Sequence, residues 1–186
     1  MSSTNAPFGL RPAFHPSGLD RAQALANGIQ AVSTSGNVSA GYATTILKGQ
    51  PVKYSSSGYI VVAAAGDAFV GAFDGVEWTD STGRRRVSNY WPANESFLTG
   101  SVVAYFYADQ NIVYEIQTDG TMAQTAIGDE ADLSNTTAGS TTTGLSQCTL
   151  SATLVGAGNS AQMRVIEDRK STRLNSSHLG ISYAVF

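Results

Sequence analysis

Residues 99–120 read TGSVVAYFYADQNIVYEIQTDG, and this stretch decides the fold class. Two runs rich in β-branched and aromatic residues, Val102–Tyr107 and Ile112–Ile116, are joined by the polar triplet Asp109-Gln110-Asn111. In the second run Ile112, Tyr114 and Ile116 alternate with Val113, Glu115 and Gln117, the period of two of a half-buried strand. Asp119-Gly120 follows, a pair that tolerates positive φ and lets the chain turn again. The pattern predicts a β-hairpin. Nothing in it is a reactive group.

Working outward, residues 46–78 (ILKGQPVKYSSSGYIVVAAAGDAFVGAFDGVEW) predict three strands, Val52–Tyr54, Tyr59–Ala63 and Phe69–Phe73. Turns fall at Ser55–Gly58 and Gly66-Asp67, and Gly71 inside the third run predicts a bulge or a close backbone approach. Asp74-Gly75 reads as a further turn before Val76-Glu77-Trp78. Turn signals at this spacing favour an all-β sandwich or barrel over an α/β fold. Residues 79–98 hold the cluster Arg84-Arg85-Arg86, read as a hairpin tip that could meet phosphates, meet an acidic protein surface, or simply be solvated. Downstream, residues 134–147 are hydroxyl-rich, a surface loop or edge segment. Thr149–Leu154 and Gln162–Ile166 read as the last strands.

Upstream, Tyr42 and Thr44–Leu47 are strand material, and residues 20–26 suit either two helical turns capped by Asp20 or an edge strand. Residues 1–19 carry Pro7, Pro12 and Pro16 among Phe8, Leu10, Phe14 and Leu19. The prolines exclude a helix and disfavour an interior strand, yet the segment is too apolar for a solvated linker. An extended arm fits both facts, laid on another surface or folded back on its own domain. The expected organisation is therefore mainly β: an antiparallel β-sandwich or barrel-like domain over 20–167, preceded by an extended Pro-rich N-terminal arm over 1–19.

The chain has 186 residues, 13% of them charged and 19 of them glycine, a mix suited to short strands and many turns. The net charge is −3, which argues against a nucleic-acid or anionic-membrane partner. The N-terminus has no basic region followed by an apolar run, and no window is apolar enough to span a bilayer.

Residues 168–186 (DRKSTRLNSSHLGISYAVF) differ from everything before them. Three basic residues, Arg169, Lys170 and Arg173, follow a stretch from Val87 to Met163 that contains none. The segment resembles the in-frame translation of a sequencing adapter, with Leu179-Gly180 where an index would sit. Setting it aside leaves 8 basic against 13 acidic residues, net −5. The native frame is expected to continue past MRVIE, and neither His178 nor the sequon-like Asn175-Ser176-Ser177 is read as functional.

The usual chemical signatures are missing or incomplete. Gly156-Ala157-Gly158-Asn159-Ser160 lacks the third glycine and the distant acid of a dinucleotide loop. With His15 and Cys148 the only native residues of their kinds, a transition-metal site is not expected. Cys148 reads as a small buried residue, and Asp129, Glu130 and Asp132 as a solvated acidic turn without EF-hand spacing. A serine triad would have to recruit His15, and Ser146 in GLSQ lacks the flanks of a nucleophile elbow. The chain is expected to be no enzyme and to need no cofactor.

The segments NAPFGLRPAFHPSG, GQPVKYSSSGYIVVAAAGDAFVGAFDGVEW and VVAYFYADQNIVYEIQTDG, with GSTTTGLS after them, resemble tailed-bacteriophage capsid cement (decoration) proteins, in order across most of residues 5–166. The resemblance implies a β-rich protein, made in the host cytoplasm, that sits on the exterior of the virion head as a homotrimer and binds the major capsid protein. Pro7, Phe8, Leu10, Arg11 and Phe14 would lie in the capsid-contacting arm, with Arg84, Arg85 and Arg86 as a further loop contact. Family members continue past Arg164–Ile166, so a last strand is expected to be missing. A rival of another class is a glycan-binding β-sandwich of a tail fibre or cell-surface protein, using Tyr90, Trp91 and Trp78. It requires those rings in an open groove, whereas the cement reading requires Trp78 buried and the arm detached. An enzyme would need a pocket around His15 or Cys148.

Overall fold

A computed structural model describes residues 6–16, 23–26, 28–109, 111–155 and 160–167. The adapter-like tail, the proposed cap Asp20 and Gly156–Asn159 lie outside them. The strands are β1 (Arg11–Phe14), β2 (Gln23–Ala26), β3 (Ser33–Ser35), β4 (Val38–Ala40), β5 (Pro51–Tyr54), β6 (Ile60–Val62), β7 (Gly71–Thr79) and β8 (Arg85–Ser88). They continue with β9 (Ser96–Leu98), β10 (Val103–Tyr107), β11 (Val113–Glu115), β12 (Glu130–Ser134), β13 (Gly139–Ser140), β14 (Leu145–Ser146), β15 (Thr149–Leu154) and β16 (Met163–Arg164). One short 3-10 turn, Gln124–Ala126, interrupts them. The protein is mainly β, with antiparallel sheets consistent with a sandwich and no closed barrel among the described residues.

The largest sheet runs β2-β10-β7-β5-β6, with β8 added to the far half of β7. Both edges of β10 are therefore occupied, by β2 and β7. This overturns the predicted hairpin: both runs are extended, but β11 pairs with β1 instead. The reason lies in the side chains. Val102, Ala104 and Phe106 enter a core with Ile29, Ile46, Val52, Phe73, Val76 and the two tryptophans. Ile112, Tyr114 and Ile116 enter a second core with Leu10, Leu133, Leu150 and Met163. A tight hairpin would direct both apolar faces into one core. The turn between the runs is held by Asp109, whose Oδ1 accepts from the Asn111 backbone N–H at 2.8 Å.

Strand β7 differs from the expected strand, turn and strand, because its nine residues are continuous. Opposite β10, Phe106 faces Phe73 and Tyr105 faces Gly75, so Asp74 is an extra residue, a β-bulge. Without it, Phe73 could not share a face with Val76 and Trp78, which differ from it in parity. Adjacent Ala72 belongs to the second core and Phe73 to the first, so at this end the sheet lies between the two cores.

Other readings are sharpened or corrected. Residues 23–26 are an edge strand on β10, not helix. Of Thr44–Leu47 only Ile46 bridges, to Trp91. The hydroxyl-rich segment forms the β13–β14 pair and is stitched inward: Lys48 donates its N–H to the Gly144 carbonyl at 2.9 Å, and Ser146 donates to the Lys48 carbonyl at 2.9 Å.

Gly71 makes the close approach read from the sequence. At φ +156°, a Cβ there would fall inside the shell of the Tyr107 carbonyl oxygen. Gly71→Ala is expected to destabilise the fold by about 3 kcal/mol or more, from strain and overpacking together. Urea denaturation followed by tryptophan fluorescence measures it; a loss comparable to an exposed glycine such as Gly83 would contradict the packing.

Candidate functional site

Residues 6–16 lie back on the domain, one of the two arrangements open to the Pro-rich segment. The detached arm of the cement reading is therefore corrected for these residues. Leu10 is 2% exposed, and its N–H donates to the Gly49 carbonyl at 2.8 Å. Gly9 takes φ +74°, and a Cβ there would meet the Gly49 oxygen at 2.7 Å, so the chain passes with no room for a side chain. Pro12 is accommodated because, among the described residues, β1 pairs on one side only, against β11. Arg11 stands opposite Glu115 and forms an ion pair with it, and its guanidinium lies 4.9 Å above the Phe8 ring. His15 Nε2 reaches Asp109 Oδ2 at 3.0 Å.

The five arm residues thus divide. Leu10 is spent in the protein's own core, and Pro7 and Phe8 are half-buried. Arg11 is exposed but engaged, and Phe14 is 58% exposed at the end of β1.

Beneath the arm is a cavity of about 400 Å3. Phe8, Leu10, Phe73 and Leu145 form apolar walls, and Lys48, Asp74 and Tyr107 bring polar groups. The bulge explains why Asp74 is there, since the extra residue of β7 need not point into either core. Lys48 Nζ meets Asp74 Oδ1 at 2.7 Å. The Tyr107 phenol is held above its ordinary pKa by burial first and by the Asp74 carboxylate second. Sequence reasoning missed this grouping because Asp74-Gly75 resembles a turn. The bulge was legible only in the parity conflict between Phe73 and Val76.

The arginine cluster is less cationic than its composition. Arg85 pairs with Glu77, and Arg86 Nε with Asp80 Oδ2 at 2.9 Å. Both sit in β8, while the hairpin tip is residues 80–84. Asp80, 6% exposed, organises that tip, accepting from the Thr82 hydroxyl at 2.6 Å and from the backbone N–H groups of Thr82 and Arg84 at 2.9 and 3.0 Å.

The aromatics of the glycan reading do not form a groove. Trp78 is 5% and Trp91 0% exposed, packed edge-to-face with ring centroids 5.4 Å apart, and Phe97 lies 5.7 Å from Trp91. Tyr90 is half-buried. Cys148 is fully buried, its thiol pushed up to about 12 by that burial. Of the acidic trio, Glu130 and Asp132 lie in β12 rather than in a solvated turn, and Asp129 precedes the strand. Glu130 holds Arg164 at 2.8 Å, and Asp132 accepts from the Gln162 N–H at 3.1 Å. Among the described residues no cluster of His, Cys, Asp or Glu could hold a metal, and no helix is long and apolar enough to cross a membrane.

Asp80 gives a pH test. The Thr82 hydroxyl first, then the Arg84 N–H and the Arg86 guanidinium, hold its carboxyl well below the usual 3.8. A depressed folded pKa contributes stability that is complete above about pH 4 and lost as pH falls through the folded value. The stability gap between wild type and Asp80→Asn should therefore be widest near neutrality and close below about pH 4. Denaturant titrations at several pH values measure it, and a gap independent of pH would refute the assignment. No family model, curated protein or solved structure matches the chain.

Proposed function

We propose that the chain is a structural virion protein that binds the outer surface of a tailed-phage head, as a homotrimer, and stabilises contacts between major capsid protein subunits. The observation that carries this reading is the surface of β1. Its outer edge has no strand partner among the described residues, and Phe14 projects from its end, 58% exposed. An unpaired strand edge beside an exposed aromatic ring is a template for joining another chain. Anchored by Leu10, the Arg11–Glu115 pair and the ladder to β11, the strand loses little freedom on docking.

Three further facts support the reading. Trp78 is buried, as a cement scaffold requires and an aromatic glycan groove does not. Strand β8, paired only to β7 among the described residues, carries Val87 at 74% exposure, and the exposed Arg84 precedes it in the hairpin tip, an apolar and a cationic contact for an acidic protein surface. The net charge of −5 over residues 1–167 favours the shell exterior over its DNA-facing interior. The contact role in the arm accordingly passes from Leu10 to Phe14 and Arg11.

Co-sedimentation with expanded heads of the encoding phage tests the proposal. Phe14→Asp is expected to weaken binding by about tenfold or more, while changing folding stability by no more than about 0.5 kcal/mol. Leu10→Ala is expected instead to cost about 2–4 kcal/mol of stability. Equal binding by Phe14→Asp would remove β1 from the interface, and failure of the wild type to bind would sink the capsid reading altogether.

A further inference from the structure

We infer that the cavity beneath β1 is a binding site for a neutral sugar unit, formed by the bulged carboxylate Asp74, its partner Lys48 and the Tyr107 phenol against the Phe8 and Leu145 walls. The inference does not rest on the capsid reading, and it uses none of the tryptophans.

Size and preorganisation come first. A cavity of about 400 Å3 lies at the small end of the range for ligand sites, about 300–1,000 Å3. It accommodates a sugar ring rather than a folded partner. Each polar group is held by a rigid neighbour. The turn carrying Lys48 is clamped by Gln50, 0% exposed, whose Oε1 accepts from the Leu47 N–H at 2.7 Å and whose Nε2 donates to the Thr136 carbonyl at 2.6 Å. Gly49 donates to the Phe73 carbonyl at 2.7 Å, which ties that turn to β7 one residue before Asp74. The Tyr107 backbone is pressed by Gly71, and its carbonyl accepts the Tyr114 hydroxyl at 3.0 Å. The backbone that carries these groups is thus fixed before a ligand arrives.

Charge then selects the ligand. Lys48 and Asp74 already satisfy each other at 2.7 Å, and Arg11 already holds Glu115. With both pairs formed, the cavity presents no unpaired charge that would favour an anion or a cation. A neutral polyol leaves the pairs intact. Its hydroxyls both donate and accept, so they can use the free lone pairs of Asp74, the remaining protons of Lys48 and the phenol of Tyr107. Its C–H faces pack against Phe8 and Leu145, the pairing of apolar wall and few convergent polar groups typical of small-ligand sites.

The experiment is ligand-observed saturation-transfer NMR on the full chain with glucose, galactose, mannose and N-acetylglucosamine, with leucine and acetate as charged comparisons. At least one sugar should receive saturation, and the charged compounds should not. Tyr107→Phe, which keeps the ring and the fold, should weaken that sugar by about tenfold, the value of one lost hydrogen bond to a partly buried ligand. Asp74→Asn, with circular dichroism unchanged, should weaken it by at least as much. The inference fails if no sugar receives saturation, if leucine or acetate binds in preference, or if both variants bind as the wild type does. Head binding is measured separately with Phe14→Asp, so either reading can fall while the other stands.

Discussion

The bulge at Asp74 is the constraint on which the rest of the structure depends. Strand β7 is shared along its length, with β10 on one side and β5 then β8 on the other. Its apolar residues change parity midway, Phe73 before and Val76 and Trp78 after, and all three must reach one core. One inserted residue satisfies that demand. The cost is a residue with no core position, and a carboxylate fills it. The same irregularity that lets the large sheet bury Trp78 and Trp91 therefore delivers Asp74 to the cavity beside Lys48.

The N-terminal segment is anchored at one end and lies on the surface beyond it. Leu10 and Gly9 are fitted against Gly49 and Ser146 with no space to spare, which fixes the start of β1. From there the strand lies on the surface with one edge paired and one open. Proline at position 12 is compatible with that placement and with few others, since it lacks the donor an interior strand would need. The segment, anchored at one end and unpaired along its outer side among the described residues, roofs the cavity below.

Two buried amides hold the layers in register. Gln162 accepts from the Leu133 N–H at 2.8 Å and donates to the carbonyls of Ala64 and Asp67 at 3.0 and 2.7 Å, joining β12 to the turn after β6. Gln50 plays the same part between residue 47 and the hydroxyl-rich segment. Both amides are satisfied at oxygen and nitrogen, so they fix one arrangement without leaving a buried polar group unpaired. This is why a stretch as polar as residues 134–147 can carry Ser146 at 0% exposure and Thr136 at 8%.

Local chemistry determined much of this protein. Alternation in residues 112–117 named Ile112, Tyr114 and Ile116 as buried, Thr149–Leu154 was legible to the residue, and Gly71 announced a bulge or a close backbone approach. Three prolines excluded a helix from the arm. What alternation cannot carry is the destination of a buried face. A period of two reports that Ile112 is buried, and β-branched and aromatic content marks Val102–Tyr107 as strand, but two cores make identical demands on sequence, so only the tertiary structure decided that β10 and β11 part company. The same holds for the candidate site. Asp74-Gly75 has the composition of a turn, and Lys48, Tyr107 and Phe8 are distant in sequence and unremarkable singly. Their convergence follows from strand pairing between segments far apart in the chain, and pairing is selected by the fit of whole faces, not by any residue's own preference.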